Sequence, residues 1–192
     1  MYFLFVTKIL LTIFAAILIP VYWKNYGPTN FLWLSDISLF LTLFALWVNY
    51  SLFTSIAMVG IFPFELAWNL DFFLHLFTGK NLIHIADYMF ERKYSLFLKS
   101  LSLFHVILPP LWIFLLYKFG YNQNAFLYSI FLIWIILILT YLFTDPKKNI
   151  NWVFMPKINH WKISEFIWLI ILMIGFPIFV FLPMHVILKR IF

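Results

Sequence analysis

Ser35, Asp36, Glu65, Asn69, His105, Asn149, Asn151 and Trp152 are the residues whose types could do chemistry together. They supply a hydroxyl, carboxylates, an imidazole, amides and an indole N–H. Acid–base steps and polar ligand sites are built from such groups. Their setting makes them conspicuous. The stretch 30–49, NFLWLSDISLFLTLFALWVN, is apolar enough to cross a bilayer, yet it carries Ser35, Asp36, Ser38, Thr42 and Asn49. Ser35, Ser38, Thr42 and Asn49 share one helix face. A polar stripe on such a helix cannot face lipid, so it must face other helices or a wet cavity. Glu65 and Asn69 stand at i and i+4 just past Pro63, and His105 lies inside a later apolar run.

Each residue also has a structural role open to it. A serine in a span often bonds its own helix backbone. A carboxylate in a span is costly, but near the interface it can pair with a base or cap a helix. A lone histidine is more often packed and hydrogen-bonded than reactive. Asn149 and Asn151 fit turn caps, and Trp152 and Trp161 fit the interfacial aromatic belt. His84, His160 and His185 show no spacing that makes a metal site. No metal or cofactor is called for.

The totals say what must position these side chains. The chain is 65% hydrophobic, 23% aromatic and only 10% charged, whereas a soluble domain has about 25% charged residues. The expectation is an integral membrane protein, one all-α domain over residues 1–192, with membrane lipids as its surroundings. The net charge of +6 lies in short loops and points to lipid headgroups rather than nucleic acid. There is no cysteine, which removes disulfides and a thiol nucleophile. The first apolar run reads as a retained span, not a signal peptide. No feature names a protein partner.

Hydropathy predicts a bundle of six transmembrane helices. They lie over 3–23, ended by Pro20 and Gly27-Pro28; 31–48; a third from about 52, kinked at Pro63; 101–117; 125–143; and 166–188. Residues 70–94 read as short interfacial or re-entrant helices. Lys24, Lys80, Arg92, Lys93, Lys147, Lys148, Lys157 and Lys162 gather on the side away from the termini, which puts both termini outside. In this topology Ser35, Glu65, Asn69, His105, Asp145, Asn149, Asn151 and Trp152 reach one level of one leaflet. A one-sided polar cluster of this kind suggests a site.

Leu34-Ser35-Asp36-Ile37, Phe104-His105-Val106 and the run 148–156, KNINWVFMP, resemble the YwaF-like six-span integral membrane proteins of bacteria. These are similar in turn to a eukaryotic membrane acyltransferase family and to the androgen-induced hydrolases of branched fatty-acid esters. The likeness covers about residues 31–156, and it implies a bacterial inner-membrane protein. It sets Ser35 where the family has a cysteine and His105 at its histidine. Serine is a departure that needs stronger activation than a thiol. The implied activity is an intramembrane acyl-ester hydrolase or acyltransferase. In it Ser35 attacks, His105 is the base, Asp36 or Glu65 orients the imidazole, and Asn149, Asn151 or Trp152 serves the oxyanion. The alternative is a non-catalytic membrane protein that binds or carries a lipid or small molecule, or joins an assembly. A Ser35–His105 distance within hydrogen-bond reach favours the first, and a cavity through both leaflets the second.

Overall fold

The computed structural model describes residues 2–155 and 163–192. His160, Trp161, Lys157 and Lys162, read above from the sequence, lie outside them. Helices are the regular structure of the described residues, with no strand among them. In chain order the helices are α1 Tyr2–Tyr26, α2 Leu34–Val48, α3 Ser51–Gly60, α4 Phe62–Thr78, α5 Leu96–Leu101, α6 Phe104–Phe119, α7 Ala125–Phe143, α8 Glu165–Gly175 and α9 Leu182–Ile191. Short 3-10 turns lie at Pro28–Leu32, Asp87–Met89 and Ile150–Trp152, and a π turn at Phe176–Phe181 joins α8 to α9.

Four helical stretches are long and apolar enough to cross a membrane: Tyr2–Tyr26, Leu96–Phe119, Ala125–Phe143 and Glu165–Ile191. The pair α3 and α4, bent by 58° at their junction, would make a fifth. The expected second span falls short, because α2 has only 15 residues. Its reason is local. The Asn151 side chain accepts from the Leu34 N–H and donates to the Leu32 carbonyl, so the helix is stopped at Trp33. The residues before it coil into a 3-10 turn instead.

Other boundaries differ as well. α1 runs through Pro20 and ends only before Gly27, whose φ of 84° suits glycine. The bend near Pro63 is present, with proline in the first turn of α4, where its missing N–H costs nothing. Beyond Leu70, α4 continues unbroken to Thr78, and Gly79 at φ 70° caps it. The segment after it is a loop with one 3-10 turn, not a set of short helices. That loop is tied to α4 by Asp71. Its carboxylate accepts from the N–H groups of Leu82 at 2.8 Å, Ile83 at 2.9 Å and Ala86 at 3.0 Å.

Helix α3 is the axle of the packing, touching α2, α4, α6 and α7. Its small residues allow this. A Cβ placed on Gly60 would sit 3.4 Å from the Ser129 side chain of α7, so these backbones approach closely. The polar stripe of α2 divides in two. Ser38 and Thr42 are fully buried, and Thr42 Oγ1 accepts from Trp112 Nε1 of α6 at 2.7 Å. Asn49 is exposed and closes α2 in a left-handed conformation. Only the N-terminal end of the stripe is left to face a site.

Candidate functional site

The N-terminal ends of α2, α4 and α6 meet the C-terminal end of α1 and the loop after α7. Between them lies a cavity of about 600 Å³. It is lined by Ser35 and Asp36 from α2, Glu65 and Trp68 from α4, Ser102 and His105 at the start of α6, and Asn149, Asn151 and Trp152 from the loop after α7. Asn69 is not among the lining residues. Its amide donates to the His105 carbonyl at 2.7 Å and to the Glu65 carbonyl at 2.8 Å, so it fastens α4 to α6 beside the cavity.

Glu65, Trp68 and Asn69 occupy one face of α4, spaced i, i+3 and i+4. Together they hold His105. Nδ1 of His105 is 2.7 Å from Glu65 Oε2, and both residues are buried. The imidazole stacks on the Trp68 indole at 4.3 Å and 17°. A carboxylate on one ring nitrogen and an aromatic face on the ring fix its orientation and leave Nε2 as the working nitrogen. Among the described residues Nε2 has no hydrogen-bond partner, and no hydrogen bond joins Ser35 to His105.

Asp36 does not touch the imidazole. Its Oδ2 accepts from Asn30 Nδ2 at 3.0 Å, while Oδ1 is buried without a hydrogen-bond partner among the described residues. The backbone N–H groups of Ser35 and Asp36, in the first turn of α2, also have no acceptor among the described residues. They sit at a helix end where partial positive charge favours an anion.

The asparagines serve the backbone more than the cavity. Both N–H groups of the Asn151 amide are occupied, by the Leu32 carbonyl at 2.7 Å and Thr140 Oγ1 at 3.3 Å. Asn151 therefore has no donor for an oxyanion, contrary to the expectation from sequence. Asn149 brackets Phe154, donating to its carbonyl and accepting from its N–H, both at 2.9 Å, and one amide hydrogen is left over. Both residues have positive φ, as does Trp152 at 57°. Asn tolerates this conformation, which fits their place in the turn. The Trp152 carbonyl accepts from Trp168 Nε1, and its ring packs between Trp33 and Phe64.

Aromatic walls complete the cavity, and sequence reasoning missed them. Tyr22, Tyr26, Tyr94, Tyr88 and Trp68 follow one another with ring centroids 5.2, 6.2, 6.3 and 6.4 Å apart. Tyr22 and Tyr26 are four apart at the end of α1. That spacing is readable, but nothing in it says what the rings face. Burial raises the Tyr88 phenol above its ordinary range, so it stays a neutral hydrogen-bond donor. Lys148 stands at the exposed rim, its Nζ donating to the Tyr26 carbonyl at 3.1 Å. Among the described residues no group of His, Asp and Glu has the arrangement of a metal site.

Comparison with known protein families, with curated proteins and with solved structures returns no match.

Proposed function

We propose that the chain is an integral membrane protein and that its cavity hydrolyses or transfers an acyl ester. The observation that carries the reading is the Glu65–His105 pair, set in the same cavity as the Ser35 hydroxyl. His105 Nε2 removes the proton of Ser35 as Oγ attacks the ester carbonyl. Glu65 stabilises the imidazolium that forms. The free N–H groups at the start of α2 lie at the nucleophile and serve the oxyanion. His105 then returns the proton to the departing alcohol, and water or a second alcohol releases the acyl group. Unliganded sites often hold such partners beyond hydrogen-bond reach and tighten with substrate.

In this reading α2, with the turn before it, completes a sixth crossing. The basic loops then lie inside a bacterial inner membrane, with both termini outside.

A second reading is a carrier or binding protein without catalysis. The missing Ser35–His105 hydrogen bond favours it.

Turnover of a fluorogenic fatty-acyl ester, per folded molecule, separates the two. General-base assistance is worth about 10²–10⁴-fold, so His105→Ala should lose at least about a hundredfold. Ser35→Ala, His105→Ala and the double variant should be equally poor, because a dyad acts as a unit. Full activity in Ser35→Ala, or additive losses, removes the dyad and leaves binding as the function. A serine-reactive alkyl phosphonate should label Ser35 and spare His105→Ala.

A further inference from the structure

The Asp36 carboxylate is the polar group in the cavity that the acyl chemistry leaves unexplained. It is 2% exposed, yet Oδ1 has no hydrogen-bond partner among the described residues. A buried carboxylate oxygen without a donor is costly unless a ligand supplies a donor or a compensating positive charge. A positive group fits there best, since Glu65 lines the same cavity and its own carboxylate is already taken by His105.

The walls point to a cation. Tyr22, Tyr26, Tyr94, Tyr88 and Trp68 form a connected run of rings, and Trp33, Trp152 and Phe64 a second, with centroids 6.2 and 6.1 Å apart. All of them line the cavity. Aromatic faces attract an ammonium group by their quadrupole, most strongly where water is excluded, and such walls with a carboxylate are the recognition chemistry of alkylammonium ligands. Lys148 at the exposed rim supplies the opposite sign, suited to a phosphate.

We propose that the cavity binds an alkylammonium group, with Asp36 Oδ1 as its counter-anion, the tyrosine run as its cation–π face, and Lys148 receiving a phosphate attached to it. This deepens the reading of the cavity as an acyl-ester site by naming the headgroup class of the ester, a zwitterionic phospholipid. It rests on that reading only for the ester, since the binding stands without catalysis.

The test is equilibrium binding to the full chain in non-ionic detergent, read by tryptophan fluorescence. The probes are choline, its uncharged isostere 3,3-dimethylbutanol, and dodecylphosphocholine. Choline should bind at least about tenfold more tightly than the isostere. Asp36→Asn should erase that preference, and Tyr94→Leu should weaken it by several-fold if Asp36→Asn does not fold. Lys148→Ala should weaken dodecylphosphocholine and leave choline unchanged. Preference for dodecylphosphocholine assigns the ammonium to a lipid, and equal binding of choline assigns it to a free amine; both support the site. Equal binding of choline and its isostere, or an unchanged preference in Asp36→Asn, overturns it. His105→Gln separates the two proposals: retained choline binding with lost turnover leaves the ammonium site standing, whether or not the acyl chemistry does.

Discussion

Glu65 and His105, 40 residues apart in the chain, meet at 2.7 Å inside the protein. The bond joins α4 to α6 and sets which imidazole nitrogen faces the cavity. Neither helix could hold the imidazole alone, because the carboxylate, the Trp68 ring and the Asn69 amide all come from α4.

The pair should therefore be coupled in stability. His105→Ala leaves Glu65 buried without its donor and should cost about 3–5 kcal/mol. Glu65→Gln should cost less, since an amide can still accept. In the double variant the losses should fall short of the sum by about 1–3 kcal/mol. Denaturant titration of all four proteins in detergent measures this. Losses that add would show that the contact carries no coupling.

Asn151 should matter for helix initiation and for stability. Asn151→Ala removes the acceptor of the Leu34 N–H and puts alanine at φ 54°. The lost acceptor costs about 1–3 kcal/mol, and the left-handed backbone adds about 1–2. Asn151→Gly relieves only the backbone part, so it should be the more stable of the two. An alanine variant at least as stable as the glycine one would show that the left-handed turn is not what Asn151 supports.

Asp71→Asn should loosen the loop over the cavity. An amide offers one acceptor oxygen where the carboxylate offers two, and the Ala86 N–H is held by the second. Charged hydrogen bonds of this kind are worth about 1.5–3 kcal/mol each. Hydrogen exchange at 82–86 should rise while exchange in α3 stays the same. Unchanged protection at 82–86 would mean the loop is held by other contacts.

Topology can be read with single cysteines, since the chain has none of its own. Six crossings put Tyr2→Cys and Gln123→Cys on the same face, and five put them on opposite faces. With both termini outside, an impermeant maleimide should label both in intact cells and reach Lys147→Cys only after permeabilisation. Labelling of only one of the first two would remove α2 from the crossings.

Much of the site's location was readable because polar residues in apolar runs have few explanations. Ser35, Asp36, Glu65, His105 and Trp152, singled out for that reason, line one cavity. Their partners were less readable. Asn69 and Asn151 have the composition of ligand-binding residues, but their amides bind backbone carbonyls across the chain. Spacing along a helix says which residues share a face, not what lies opposite. For that reason Thr42 matched Ser35 in sequence yet meets α6, while Ser38 bonds the Ser35 carbonyl of its own helix. The bend at Pro63 was legible, since proline acts locally. The length of α4 past Leu70 was not, because Asp71 looks like a headgroup residue until its three N–H donors from the following loop are seen.

The shortness of α2 has a consequence for the surrounding lipid. At 1.5 Å per residue its 15 residues span about 22 Å, against about 30 Å of hydrocarbon. A bilayer pressed against a wall that short meets a hydrophobic mismatch and relieves it by thinning. The thinning would fall beside Ser35 and Asp36, at the end where Asn151 stops the helix. Acyl carbonyls, which ordinarily ride at the headgroup boundary, would there be drawn down toward the depth of Ser35. A lipid could then present its ester without leaving its leaflet, and a single asparagine would determine how far it has to sink.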